Sequence, residues 1–330
     1  MATILDVARE AGVGVGTVSR VINGRERVAP ATRARVLEVI DRLAYAPNQS
    51  ARSLSMGRTD AICVLVPFLT SASVNARLQG VVEAFRSSGR EVTLRVADTP
   101  EQRDQAIAAG VGGSKPAGLI VISLPLSEIT IAELRAAEVS TVAIDVALPG
   151  VPSVTVDDVA GGKLATKYLL DRGHRAIGFI GDDDEQGLGF RSSTNRRLGY
   201  LQAMADLGLG ARPEYIKTGP FGREVAHRLT RELLSLENRP TAIFAASDTQ
   251  AFGVLESVAA QGLAVPEDVS VVGFDDVELA PYVGLTSVRQ PLFESGKLGA
   301  AALLDLLDGA EVDDVPLSLT IVERSTVSDR

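Results

Sequence analysis

At 330 residues with 45% hydrophobic content the chain has room for two or three cored domains, on a prior of roughly 100–200 residues each, and its single Cys, Cys63, excludes an internal disulfide framework. The longest apolar runs, such as 117–122, fall well short of the ~18 residues of a membrane span, and the early charges of Asp6, Arg9 and Glu10 exclude a secretory signal, so a cytoplasmic protein without membrane contact is expected. The net charge of −9 argues against nucleic acid only until its distribution is read: residues 1–60 hold nine Arg against six acidic residues (+3), and the rest of the 33 basic and 42 acidic residues (24 against 36, −12) lie beyond.

Thr3 precedes apolar Ile4, Val7, Ala8 and Ala11, one face of a short helix, and Thr3 with Asp6 reads as a capping box that Gly12 terminates. A second helix to about Asn23 buries Val18, Val21 and Ile22 and turns Gly16, Thr17 and Arg20 outward. A third starts near Pro30 and buries Val36, Val39, Ile40 and Leu43. Helix, glycine-containing turn, helix is the helix-turn-helix pattern. Gly12, Gly14 and Gly16 also resemble part of a dinucleotide-binding fingerprint, but that motif follows a strand, and here a helix precedes it.

From residue 61 strands and helices alternate. Strands are predicted over 61–66, 91–97, 117–123 and 139–144, with helices near 75–87, 101–110 and 130–137. A second series has a helix at 160–171 and strands over 176–180, 215–218, 241–245 and 269–272. Two such series predict two α/β lobes, each a doubly wound parallel sheet. Ligands of such sheets sit beyond the strands' carboxyl ends and in interdomain clefts. The candidates by position are therefore Phe68, the run from Ser71 through Ser73 to Asn75, Ser123, Asp145, Phe221, Ser247, Asp248 and Asp275, with Arg196 one element on. Carboxylates and an Arg at a cleft suit a polyhydroxylated ligand, and an aromatic such as Phe221 can stack on a sugar face. The acidic run 182–185 lacks the spacing of a calcium loop and reads as a solvated loop. His174 and His227 have no Cys partners, so no zinc is expected. No nucleophile–base constellation or phosphate-binding loop appears, so neither an enzyme nor a cofactor is expected.

The segments Met1-Ala-Thr-Ile-Leu-Asp-Val-Ala8, Thr17-Val-Ser-Arg-Val-Ile-Asn23, Tyr45-Ala-Pro-Asn48 and Ala51-Arg-Ser-Leu54 resemble the lactose-repressor (LacI/GalR) family. The similarity continues through Asp171-Arg-Gly-His174, Arg196, Gly199-Tyr200, Ala246-Ser-Asp248, the run 265–276 and Val288-Arg-Gln-Pro291. It implies three parts: an all-α headpiece over 1–47, a hinge helix and linker over 48–60, and a periplasmic-binding-protein-like body over 61–330. Lobe 1 would take about 61–158 and 291–317, and lobe 2 about 159–288 and 318–330. Crossovers are implied near 157–161, 287–291 and 317–320, with helix 292–307 returning to lobe 1 and a strand over 317–323.

The resemblance also implies roles. The second helix would lie in the major groove of a pseudo-palindromic operator, with Val15, Gly16 and Arg20 at sequence-reading positions. Thr3, Thr17, Ser19, Asn23, Asn48, Ala51 and Arg52 would meet the DNA beside them, and Leu54 would wedge into the minor groove at a central CG step. Arg20 has two possible roles, a guanine contact or a phosphate contact, and Leu54 has ordinary linker packing as its alternative. Asp145, Arg196, Asp248 and Gln290 match effector-contacting positions, with Phe221 at the stacking position and Phe190 beside the cleft. Helix capping is the alternative for Asp248 and Asp275, and holding the crossover for Gln290. Ser71-Ala72-Ser73-Val74 replaces a family segment rich in aromatics, which opens that side to a mono- or oligosaccharide. The function implied is a homodimeric repressor answering to a sugar, with a purine or other metabolite, as inducer or corepressor, as the alternative. A sugar-binding protein or sugar enzyme without DNA function is the remaining class.

Overall fold

The computed structural model describes residues 2–22, 28–45, 59–86, 88–112, 115–183 and 187–330. They divide into two compact units, Met1–Thr59 and Asp60–Arg330.

The first unit holds α1 (Ile4–Ala11), α2 (Val15–Ile22) and α3 (Pro30–Arg42). The capping box forms: the Thr3 hydroxyl accepts from the Asp6 amide and the Asp6 carboxylate accepts from the Thr3 amide. Gly12 ends α1 at φ 62°, a left-handed turn that a glycine adopts without strain. The helices meet over Val7, Ala8, Ala11, Val18, Val21, Val36 and Val39, all buried.

The second unit consists of two lobes. Lobe 1 contains β1 (Ile62–Val66), α4 (Ala72–Phe85), β2 (Val92–Val96), α5 (Pro100–Gly112), β3 (Gly118–Ile122), α6 (Glu128–Ala136), β4 (Ser140–Ile144) and β5 (Ser153–Val156). Lobe 2 contains α7 (Asp158–Asp171), β6 (Ile177–Asp182), α8 (Ser192–Asp206), β7 (Ile216–Gly219), α9 (Arg223–Leu234), β8 (Ala242–Ala245), α10 (Asp248–Ala260), β9 (Ser270–Asp275) and β10 (Thr286–Arg289). The chain then returns through α11 (Leu292–Leu307) and β11 (Val315–Leu317) to lobe 1 and ends in lobe 2 with β12 (Thr320–Val322). The sheet orders are β11-β5-β4-β3-β1-β2 and β12-β10-β9-β8-β6-β7. Every pairing is parallel except β10 with β12. β1 and β3 are buried along their whole length, as helices on both faces of a parallel sheet require.

The strand expected over 317–323 is in fact two strands. β11 pairs with β5, the chain crosses at Ser318 and Leu319, and β12 pairs with β10. Three helix pairs cross at backbone contact: α4 with α11, α7 with α8, and α9 with α10, where a Cβ at Gly253 would lie 2.1 Å from the Arg223 carbonyl oxygen. A Cβ added at Gly80 would lie 2.0 Å from the Phe293 carbonyl oxygen, and one at Gly162 would lie 2.0 Å from that of Arg196. Only glycine permits that approach. It holds α4 and α8, and the arginines they carry, against their partner helices. No helix among the described residues is long and apolar enough to cross a membrane.

Candidate functional site

In the first unit α2 presents one open face. Gly16 and Arg20 are exposed, Val15 is 37% exposed, and Thr17 and Ser19 are half-buried. The added Cβ at Gly16 would meet only the Arg20 side chain, at 3.9 Å, so this face lets another backbone come close. Thr3 is exposed, with its hydroxyl donating to Asp6 at 2.7 Å. Asn23, Asn48, Ala51, Arg52 and Leu54 lie outside the described residues.

In the second unit the carboxyl ends of both sheets face a cleft of about 920 Å³, its open mouth included. Four non-glycine residues on its wall have left-handed backbone: Phe68 (φ 34°), Ser123 (φ 59°), Asp145 (φ 67°) and Asp275 (φ 111°). Such conformations cost about 1–3 kcal/mol each and gather where side chains must be aimed. Phe68, Phe190 and Phe221 supply apolar faces, with Phe68 and Phe190 at 5.8 Å between ring centroids and Phe221 44% exposed. Ser71 and Ser73 bond each other at 3.1 Å on the lobe-1 rim.

The polar floor is a continuous network. Ser123 donates to Asp145 at 2.6 Å, and the buried Arg77 donates to both Asp145 (2.5 Å) and Gln290 (3.1 Å). Gln290 donates in turn to Asp275 at 2.6 Å, and Arg196 lies 3.7 Å from that same carboxylate. Arg196 also donates to Asp158 at 2.8 Å and to the Ala246 carbonyl at 2.6 Å, with its guanidinium 3.7 Å above the Phe274 ring. The network therefore runs unbroken from one lobe to the other.

Burial pushes the Asp275 carboxyl up, against the pull of Arg196 and Arg77. Asp158 and Asp182 are also raised by burial, each opposed first by Arg196. Burial alone would depress the Arg196 guanidinium, but Asp158, Asp275 and Asp145 outweigh it and hold the charge. The floor is thus a set of buried donors and acceptors whose remaining capacity a ligand can fill.

Phe68, Ser71, Ser73, Ser123, Asp145, Phe190, Arg196, Phe221, Asp275 and Gln290 all line this cleft. Two expected members do not. Asn75 sits one turn into α4, donates to the Leu69 carbonyl at 2.9 Å and lines a different groove. Asp248 is fully buried behind the cleft, where it accepts from the Val277 amide (2.8 Å) and the Ser287 hydroxyl (2.6 Å). Nor is it the cap of α10, because Ser247 takes that place and lines the cleft itself. Asp182 departs from the solvated-loop expectation: it ends β6, accepts from Gln250 at 3.3 Å and lines the cleft with Asp183. Arg77 and Asp158 join the network with no motif to announce them. Among the described residues no group of three or more His, Cys, Asp or Glu could hold a metal ion.

Residues 3–48 match the family described as bacterial regulatory proteins, lacI family, and residues 166–327 match the periplasmic binding protein-like domain. Catabolite control protein A of Priestia megaterium is 32% identical over 315 residues, 94% of each chain. The HTH-type transcriptional repressor PurR of Vibrio campbellii is 32% identical over 338 residues, 99% of each. Of solved structures, a complex of the transcriptional regulator CelR with cellobiose is similar at TM-score 0.72 and 30% identity, covering 99% of this chain and 100% of that one. A lac repressor dimer bound to operator and the anti-inducer ONPF is similar at TM-score 0.83 and 26% identity, covering 99% of both.

Proposed function

The chain belongs to the lacI family of bacterial regulatory proteins, and from that premise we propose that it is a sugar-responsive repressor of carbohydrate-utilisation genes. It is a DNA-binding transcriptional regulator with an effector-binding unit of the periplasmic-binding-protein type. In the proposed mechanism it acts in the cytoplasm as a homodimer, placing two copies of α2 in successive major grooves of a pseudo-palindromic operator. Val15, Gly16 and Arg20 meet base edges, while Thr3, Thr17 and Ser19 hold the backbone. The lac repressor relative, a dimer on its operator, supports this arrangement. The sugar changes the relation of the lobes, and a coupling of only ~1–3 kcal/mol alters operator affinity by ~5–150-fold.

One observation carries the sugar reading. An Arg–Asp pair stands on each side of one cleft, Arg77 with Asp145 and Arg196 with Asp275, with exposed aromatic surface nearby. Guanidinium donates and carboxylate accepts, and a hydroxyl does both. The cellobiose bound by the CelR relative supports the same class. A planar purine is the second reading, favoured by the Phe68 and Phe190 rings.

A thermal-shift screen of mono- and oligosaccharides and purines, followed by gel shifts on an operator selected from random DNA, tests both. The expected result is stabilisation by a saccharide that also releases DNA; a ligand stabilises by about 2.7 kcal/mol at a hundredfold excess over its Kd. Stabilisation by a purine with none by any saccharide would overturn the sugar reading. Consumption of the bound sugar would overturn the reading of a regulator without catalysis.

A further inference from the structure

The two lobes correspond element by element. Their sheet orders pair β1 with β6, β2 with β7, β3 with β8, β4 with β9, β5 with β10 and β11 with β12. The helix crossings correspond as closely. A Cβ at Gly80 would lie 2.0 Å from the Phe293 oxygen, and one at Gly199 would lie 2.0 Å from the Val159 oxygen. On the partner helices, a Cβ at Gly296 would lie 1.9 Å from the Arg77 oxygen, and one at Gly162 would lie 2.0 Å from the Arg196 oxygen. Arg77 stands three residues before Gly80, as Arg196 does before Gly199. Asp145 directly follows β4 and Asp275 ends β9, both with left-handed backbone. Arg77 with Asp145 in lobe 1 therefore occupies the place of Arg196 with Asp275 in lobe 2.

The correspondence breaks at one position. Asp158, which accepts from Arg196 Nε, lies four residues before Gly162. Four residues before Gly296 stands Leu292, which offers no acceptor. Arg77 Nε is accordingly buried with no hydrogen-bond partner. A buried guanidinium short of an acceptor on the wall of a cleft is a costly feature for a merely structural ion pair.

We propose that Arg77 and Asp145 form a second donor–acceptor station for the effector, the lobe-1 counterpart of Arg196 and Asp275. The effector is then an uncharged ligand with hydroxyls at opposite ends, one end held by each lobe. This rests on the polyhydroxyl reading above and adds to it the charge and the two-ended form of the ligand. The charge of the ligand follows from the balance of the walls. Each guanidinium already faces a carboxylate, and Asp158 and Asp182 add acceptors, with no further cation among the described lining residues to match. A carboxylate or phosphate on the ligand would meet uncompensated negative charge at low dielectric. A hydroxyl can instead accept from the arginine and donate to the aspartate of one station.

The test uses the full chain and a fixed panel: glucose, maltose, cellobiose, lactose, glucuronate, glucose 6-phosphate, adenine and hypoxanthine. Thermal shift selects the tightest binder, and calorimetry then measures it against wild type, Arg77→Leu, Arg77→Lys and Arg196→Leu. The expected result is a neutral disaccharide, weakened at least tenfold by Arg77→Leu and by Arg196→Leu. Arg77→Lys, which keeps the charge but loses the fork, falls between and carries the test if Arg77→Leu does not fold. Equal affinity of wild type and both Arg77 variants would overturn the role of Arg77 while leaving a sugar effector standing. Preference for glucuronate or glucose 6-phosphate would overturn the uncharged-ligand inference. Stabilisation by adenine or hypoxanthine alone, or by nothing in the panel, would sink the polyhydroxyl reading and this inference with it.

Discussion

Single residues decide how the cleft is charged. Among the described residues no cation pairs with Asp248, and burial raises its carboxyl, with the Asp275 charge adding to the rise. The folded chain therefore holds that proton more tightly than the unfolded chain, and the stability Asp248 contributes falls as pH climbs from the ordinary carboxylate range toward its raised value. Asp248→Asn, which cannot ionise, should cost most near pH 5 and progressively less toward pH 8.5. The gap closes by at most about 1.4 kcal/mol per pH unit, read from urea melts of both proteins across the range. A gap that widens with pH would contradict the assignment. On the DNA side, Arg20→Ala should relax base preference at one operator position by ~1–3 kcal/mol. Binding to a full set of single-substituted operators checks this; a uniform loss across the set would make Arg20 a phosphate contact. Asp145 and Asp275 were legible in the sequence because each follows an apolar strand. Arg77 was not: an Arg inside a helical segment reads as a solvated charge, and only the glycine crossing of α4 with α11 brings it under cover. Asp248 misled for the converse reason, since Ser247 opens α10 and the next side chain turns back into the lobe.

At the scale of elements, the glycine crossings aim the arginines. Gly162→Ala should force α7 and α8 apart, cost about 1–3 kcal/mol and move Arg196 with its helix. Gly210→Ala, where nothing lies within 4 Å, should stay within about 0.5 kcal/mol of wild type. Thermal melts of the two variants, with and without the best-binding sugar, check both expectations; equal melting of Gly162→Ala and wild type would show that the crossing yields freely. Most elements could be read from periodicity, because a fully buried strand such as β1 is an unbroken apolar run and α1 carries its cap and its stop. α9 went unread although it carries the same kind of pattern, with Ala226, Leu229 and Leu233 buried on one side. β5, β11 and β12 were harder. They are three or four residues long, and none has an uninterrupted buried run. The break that divides β11 from β12 is set by which sheet edge each reaches, and no local residue marks that.

At the scale of the whole molecule, charge separates the two units. The basic excess of residues 1–60 is small, so operator affinity should depend on salt without an extreme slope. A fall of about a thousandfold or less between 50 and 200 mM salt is expected, at the lower end for proteins making 6–10 phosphate contacts. Fluorescence anisotropy on a labelled operator checks it, and an affinity indifferent to salt would contradict binding through this unit. Domain order and architecture were legible because the family-like blocks recur in order along nearly the whole chain. The joining of the two halves of the effector site was not, since it depends on three passages of the chain between lobes.

Those passages also govern how the protein is made. Lobe 1 is discontinuous: α11 and β11, which complete its core and its sheet edge, lie beyond all of lobe 2 except its last strand, β12. When β5 leaves the ribosome, the apolar side chains of Val142 and Ile144 still lack Ala300 and Leu303, their neighbours in the finished core. At bacterial synthesis speeds of about 5–20 residues per second, the intervening stretch takes roughly 10–30 s to emerge. Lobe 2 leaves the ribosome with nearly all its sheet in hand, whereas lobe 1 must wait half-covered. A ribosome stalled near residue 290 should therefore carry a folded second lobe behind an incomplete first one, the species to which a chaperone would bind.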